Sequence, residues 1–186
     1  PLCVIAAGGT GGHMFPAQAL AETLLKRGWQ VRLSTDDRGA RYANGFPVGV
    51  DITRVTSATP ARGGAAAKLA MPFRIGWGIL SAFAGMLTNR PAVVVGFGGY
   101  PSLPAILAST SAGIPTVVHE QNAVLGRVNR LLSGRVDAIA TAYPDVQRLK
   151  PKHEGKVHLV GNPVREAVLT LRDKPFPAFT EEGLLR

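Results

Sequence analysis

The residues Ala6-Ala7-Gly8-Gly9-Thr10-Gly11-Gly12-His13 set four glycines within five positions, between two stretches of opposite character. The preceding Leu2-Cys3-Val4-Ile5 is short and apolar, as a buried strand is. After it, Phe15-Pro16-Ala17 opens a segment with Leu20, Leu24 and Leu25 at helical spacing, closed by Lys26-Arg27-Gly28. The glycines therefore fall at a strand-to-helix turn. Glycine there lets the backbone adopt positive φ and approach a ligand, while free N–H groups at the helix start face an anion. A phosphate or diphosphate is the natural guest, and the competing reading is a tight structural turn with glycines for packing. The spacing departs from the two commonest phosphate loops. A dinucleotide fingerprint starting at Gly9 needs glycine where Met14 stands, and no Gly-Lys-Ser/Thr triplet follows.

Outward from this turn the chain alternates short β-rich runs with helical ones. Val31 to Ser34 and Val50 to Val55 read as strands, Pro72 to Thr88 as a helix and Ala92 to Val95 as a strand. Ser102 to Ser111 is helical, Pro115 to Val118 a strand, Leu125 to Leu132 a helix, and Val136 to Ala140 and Val157 to Val160 the last strands. That alternation predicts an α/β fold with a doubly wound parallel sheet. From Leu171 the pattern fades into Asp173-Lys174-Pro175-Phe176-Pro177, which reads as a linker. Residues 1–168 are expected to form one domain and 169–186 to begin the connection to a further lobe.

Ligands of such sheets bind at the carboxyl ends of the strands. Three more unusual segments follow predicted strands: Gly96-Phe97-Gly98-Gly99-Tyr100, His119-Glu120-Gln121-Asn122 and Gly161-Asn162-Pro163-Val164-Arg165. Gly98-Gly99 with Ser102 reads either as a turn with an N-cap or as a second anion cradle facing the first. His119 and Glu120 are either a hydrogen-bonded pair at a strand end or, with Asn122, donors and acceptors for sugar hydroxyls. Arg165 is either a solvated helix charge or a clamp on a phosphorylated ligand. His153, between Lys152 and Glu154, is expected to be exposed, and His158 to be structural. A metal site from His13, His119 and Glu120 lacks close ligand spacing, so neither a metal nor another cofactor is expected.

Composition narrows the partners. Twenty-one Lys and Arg against twelve Asp and Glu give a net charge of +9, scattered without a dense block or aromatic interleaving. That pattern disfavours nucleic acid and suits anionic small molecules or an anionic membrane surface. The single cysteine, Cys3, has no internal disulfide partner, which suits a reducing compartment and a packing role. The charge-free run from Pro91 to Val118 is interrupted by prolines and glycines and does not read as a membrane span.

The four segments together, in this order and with Phe15-Pro16 after the first, resemble the MurG family of peripheral membrane N-acetylglucosaminyltransferases of peptidoglycan synthesis. The likeness runs from residue 2 to about 168. It implies a Rossmann-like N-terminal, acceptor-binding lobe of a two-lobed (GT-B type) inverting glycosyltransferase. The implied reaction moves N-acetylglucosamine from UDP-N-acetylglucosamine to the muramyl 4-hydroxyl of undecaprenyl-diphosphate-linked lipid I, giving lipid II. The implied place is the cytoplasmic face of the bacterial inner membrane. By position, Thr10, Gly11, Gly12, Asn122 and Arg165 are then expected at the UDP-sugar. Gly11-Gly12-His13 and Gly98-Gly99-Tyr100 are expected at the acceptor diphosphate. A base must take the hydroxyl proton, and a neutral imidazole near its free pKa suits that task, so His13 is the first candidate. Glu120 is the second, as base or as the group orienting His119. Rival readings are a sugar epimerase or soluble-acceptor glycosyltransferase of the same architecture, and a non-catalytic nucleotide-sugar module.

One stretch stands apart. From Arg62 to Thr88 the apolar residues run around the whole predicted helix, so it is either packed on every side or has one face against something apolar. Phe73, Trp77 and Leu80 follow i, i+4, i+7 spacing, with Lys68 and Arg74 in the same segment, and form a candidate membrane patch.

Overall fold

The computed structural model describes residues 1–55 and 65–174. Its seven strands are β1 (Leu2–Ala6), β2 (Gln30–Thr35), β3 (Val50–Arg54), β4 (Val93–Gly96), β5 (Thr116–Glu120), β6 (Ala138–Thr141) and β7 (Val157–Leu159). They form one sheet in the order β3-β2-β1-β4-β5-β6-β7, and every neighbouring pair is parallel. The helices are α1 (Gly11–Lys26), α2 (Ala65–Thr88), α3 (Leu103–Ser111), α4 (Arg127–Leu132) and α5 (Glu166–Leu169), with 3₁₀ segments at Gly39–Gly45, Tyr100–Ser102 and Pro151–Lys156.

Strand β1 is buried at all five positions because both of its faces are covered. Cys3 and Ile5 pack with Met14, Ala17 and Ala21 of α1 and with Val31 and Leu33 of β2. Val4 and Ala6 face the other way, toward Met86 of α2 and Leu103, Ala105 and Ile106 of α3. That second layer continues over Val118 and Ile139 to Val128 and Leu132 of α4. Each fully buried Ile or Leu stabilises the fold by roughly 1.5–3 kcal/mol relative to its exposed state. Cys3 is part of this packing, and burial pushes its thiol pKa up to about 12.

The chain winds from β1 outward to β3 and then returns to place β4 on the other side of β1. The switch point lies between β1 and β4, and their carboxyl ends carry the two glycine segments.

Several boundaries differ from the sequence reading. Helix α1 begins at Gly11, so Gly11, Gly12 and His13 are its first turn and not a loop before it. Helix α2 begins at Ala65 and carries Pro72 within it. His119 and Glu120 are the last residues of β5 and do not follow it. His153 is buried beneath Gly134, and His158 is exposed on β7, the reverse of expectation. The side chains of Lys68 and Arg74, Arg62, and the linker residues from Pro175 to Arg186 lie outside the described residues.

Candidate active site

Two glycine turns meet at the switch point. Gly8 allows the closest approach: a Cβ there would lie 2.7 Å from Pro101 Cβ and 2.8 Å from Asp36 Oδ1. On the facing turn, Gly98 and Gly99 both have positive φ (+89° and +76°), and a Cβ on Gly99 would lie 3.2 Å from the Gly8 carbonyl oxygen. Neither Gly8 nor Gly99 accepts a side chain without pressing on the facing segment.

Asp36, just past the end of β2, holds the first turn in place. Its Oδ1 accepts from the backbone N–H of Gly9 (3.2 Å) and of Gly39 (2.9 Å). The sequence reading passed over this residue, although an acid directly after the strand beside β1 was there to be seen.

Thr10 is the exposed N-cap of α1, and its carbonyl accepts from the N–H groups of His13 and Met14. The N–H groups of Gly11 and Gly12 precede any intrahelical acceptor, and the first turn contains no acidic residue. The positive end of the α1 dipole is therefore presented at the sheet edge. His13 is half-buried in this turn, with Nδ1 3.1 Å from Gln121 Oε1.

His119 is buried against Phe97, with ring centroids 5.3 Å apart. Its Nε2 lies 2.9 Å from the Gly161 carbonyl oxygen and its Nδ1 3.0 Å from Gln121 Nε2. Burial lowers the His119 pKa below its ordinary value, against the opposing pull of the Gly161 carbonyl and the Glu120 charge. Burial thus favours the neutral ring.

Glu120 has a different part from either one expected. Its side chain is 2% exposed, and both carboxylate oxygens are taken. Oε1 accepts from the backbone N–H (3.1 Å) and side-chain amide (3.0 Å) of Asn122. Oε2 accepts from Gly126 N–H (2.8 Å) and Asn129 Nδ2 (3.0 Å). A general base needs an oxygen within reach of the substrate proton, and Glu120 has none to offer. Nor does it orient the His119 ring, which is bonded to Gln121 and Gly161. Glu120 instead pins the turn from Gln121 to Gly126, and with it exposed Asn122, whose side-chain amide donates to it.

Arg165 is carried to the same edge from the far end of the chain. Its guanidinium stacks over the Phe15 ring at 4.0 Å, and the Phe15 ring packs under Gly11. The next residue secures the placement: Glu166 N–H donates to Glu22 Oε2 (3.1 Å), and Lys26 pairs with the Glu166 carboxylate. Tyr100 opens the 3₁₀ turn after the second glycine pair and packs, half-buried, against the α3 layer. Thr10 to His13, Gly98 to Tyr100, His119 to Asn122 and Arg165 thus share one edge of the sheet. Among the described residues no three His, Cys, Asp or Glu side chains converge as metal ligands.

Helix α2 belongs to the other layer. Ile75, Ile79, Ala82, Phe83 and Met86 pack on the core, whereas Phe73, Trp77, Leu80 and Leu87 are 60–81% exposed. Among the described residues, nothing covers that face. None of the described helices is long and apolar enough to cross a membrane.

Residues 3–141 match the family model described as the glycosyltransferase family 28 N-terminal domain. The chain is 53% identical over 190 residues to the UDP-N-acetylglucosamine–N-acetylmuramyl-(pentapeptide) pyrophosphoryl-undecaprenol N-acetylglucosamine transferase of Erythrobacter litoralis, covering 98% of this chain and 46% of that protein. It is 55% identical over 185 residues to the transferase of the same name from Novosphingobium aromaticivorans, with 98% and 47% covered. Among solved structures it resembles the crystal structure of Acinetobacter baumannii MurG, with a TM-score of 0.67 and 34% identity over 80% of this chain and 43% of that one. The UDP-GlcNAc 2-epimerase of Methanocaldococcus jannaschii shares the fold, with a TM-score of 0.59 at 16% identity, 87% of this chain and 45% of that one being covered. The chain spans about half the length of the curated relatives it matches.

Proposed function

This chain belongs to the glycosyltransferase family 28 N-terminal domain, and on that premise we propose that it forms the acceptor-side lobe of an inverting N-acetylglucosaminyltransferase that converts lipid I to lipid II. The observation that carries this reading is the meeting of two glycine turns around His13 at the switch point of the sheet. Backbone N–H groups of Gly11 and Gly12, at the α1 start, and the turn Gly98-Gly99-Tyr100 receive the diphosphate of the lipid-linked acceptor. The muramyl 4-hydroxyl is then held near His13. Thr10, Asn122 and Arg165 meet the UDP-sugar from this side, and the remaining donor contacts come from outside the described residues.

In the reaction the acceptor oxygen attacks the anomeric carbon of N-acetylglucosamine from the face opposite the diphosphate. The new C–O bond forms as the bond to UDP breaks, the carbon inverts, and the hydroxyl proton passes to His13. UDP leaves with its negative charge opposed by backbone dipoles and Arg165. The full-length protein should transfer N-acetylglucosamine from UDP-N-acetylglucosamine to lipid I or a short-chain analogue. His13→Ala should lower kcat by roughly 10²–10⁴-fold, the usual worth of a general base, with a much smaller change in UDP-sugar affinity. A loss below about fivefold, with chemistry rate-limiting, removes His13 from the role.

The reading also places the protein peripherally at the cytoplasmic face of the bacterial inner membrane. Support comes from the exposed apolar face of α2, from the net charge of +9, and from the lipid anchor of the acceptor.

A further inference from the structure

We infer that Gln121 is a positioning residue that fixes the proton of His13 on Nδ1 and so leaves Nε2 with the lone pair that accepts the acceptor's proton. This rests on His13 acting as the base. The assignment follows from groups that cannot change roles. A backbone carbonyl only accepts, and the His119 carbonyl lies 3.0 Å from one end of the Gln121 amide, so that end is the NH₂. The opposite end is then the amide oxygen, which also only accepts, and it lies 3.1 Å from His13 Nδ1. Nδ1 must therefore carry a hydrogen.

The same reasoning runs through His119. Its Nε2 faces the Gly161 carbonyl at 2.9 Å and must be protonated. Its Nδ1 faces the Gln121 NH₂ at 3.0 Å and must be bare. Both ends of Gln121 are thus set by two fixed carbonyls, those of His119 and Gly161, and the chain of bonds ends at His13. Free neutral histidine in water prefers the opposite tautomer, with the hydrogen on Nε2, so the preference has to be supplied by the protein. The far edge of the His13 ring completes the arrangement. Its Cε1 and Cδ2, the two carbons that flank Nε2, lie 3.3 and 3.4 Å from where a Cβ would stand on Gly98 and Gly99. The bare nitrogen therefore lies along the glycine pair that is proposed to receive the acceptor diphosphate.

The test is ¹⁵N NMR of the imidazole nitrogens in the full-length protein, with the His13 signals assigned by their loss in His13→Gln. Wild-type His13 should show a protonated Nδ1 and a bare Nε2 at neutral pH, and His119 the reverse. Gln121→Met, of similar length but without hydrogen-bonding ends, should move His13 toward the Nε2-protonated form. The same variant should lower kcat about tenfold or more, with KM for UDP-N-acetylglucosamine changed by less than about threefold. A wild-type His13 protonated on Nε2 overturns the inference, as does a Gln121→Met protein whose His13 tautomer is unchanged. If Gln121→Met does not fold, the wild-type spectrum alone decides. A wild-type spectrum as expected, together with full activity in His13→Ala, leaves the Gln121 assignment standing and removes the base role instead.

Discussion

Glu120 has two oxygens and four donors, and that arithmetic sets what its replacement does. Glu120→Gln puts an NH₂ group where an oxygen accepted two N–H bonds, so whichever way the amide turns, two donors lose their acceptor: both from exposed Asn122, or those of exposed Gly126 and buried Asn129. At roughly 0.5–1.5 kcal/mol net for each hydrogen bond lost, the variant should lose about 1–3 kcal/mol in urea unfolding, and activity with it as Asn122 is released. Unchanged stability would show that the Gln121–Gly126 turn is held by something else. His119 predicts a pH dependence. Its folded pKa lies below the unfolded value, near 6.5, because burial disfavours the charged ring. Below that pH the unfolded chain binds more protons than the folded one, so stability falls as pH drops through about 6.5 toward the folded pKa. Burial and the nearby Lys152, Lys156 and Lys150 lower His153 in the same direction. His119→Gln, which keeps a donor for the Gly161 carbonyl, should therefore remove part of the slope below pH 6.5, measured by thermal unfolding. At this scale the residue types at the strand ends were legible from the sequence, and their assignments were not. Glu120 became an internal anchor through Gly126 and Asn129, and Asp36 through Gly9 and Gly39; no local pattern announces such pairings.

At the scale of elements, the two helices whose starts differed from expectation did so for opposite reasons. In α1, two glycines each cost about 1 kcal/mol of helix propensity relative to alanine, which argued for a loop. They are helical all the same, because packing of Met14 and Ala17 on β1 and β2 sets the helix in place and leaves Gly11 and Gly12 at its open end. In α2, Pro72 reads as a first-turn proline by the usual rule, but the six residues from Ala65 to Ala70 are strong helix formers with only Lys68 charged, and the helix starts before it. The apolar run through α2 was legible; which part of it is exposed depended on where the helix meets α3. That exposure carries a prediction. Phe73, Trp77 and Leu80 are 81%, 69% and 60% exposed, and insertion of each into an apolar interface contributes roughly 1.5–3 kcal/mol. Lys and Arg near an anionic leaflet add about 1 kcal/mol each. The sum allows reversible docking and not permanent insertion. The protein should co-sediment with vesicles containing anionic lipid, less so in high salt, and Trp77→Glu should weaken this while leaving the melting temperature nearly unchanged. If Trp77→Glu unfolds the domain and the wild type never binds vesicles, α2 is a core helix and the membrane reading fails.

For the molecule as a whole, the alternation of strand and helix already implied a parallel doubly wound sheet, and the four unusual segments already pointed to the carboxyl ends of its strands; that β1 and β4 flank the switch point follows from the strand order. What periodicity could not supply was the return of the chain's last described segment to α1. The contacts of Arg165 with Phe15 and of Glu166 with Glu22 and Lys26 join residues more than a hundred positions apart. Those contacts bring the segment after β7 to the edge where the acceptor is proposed to bind. The same segment leaves Leu159, Val160, Leu169 and Leu171 51–60% exposed, an apolar strip without cover among the described residues. In the two-lobed reading, that strip and the uncompleted donor contacts call for a second lobe, and the two sets of ligands should separate accordingly. In that reading the groups proposed for the acceptor diphosphate all lie within this chain: the α1 start, the Gly98-Gly99 turn and His13. Those proposed for the UDP-sugar are only Thr10, Asn122 and Arg165 here. Residues 1–186 expressed alone should therefore bind a short-chain lipid-diphosphate analogue with an affinity within about tenfold of the full-length protein, a difference of about 1.4 kcal/mol. UDP should bind the same fragment far more weakly, and transfer should be undetectable. Titration calorimetry with each ligand, beside a transfer assay, separates the cases: substantial transferase activity from residues 1–186 alone sinks the two-lobe assignment, and UDP affinity equal to that of the full-length protein moves the donor site into this lobe.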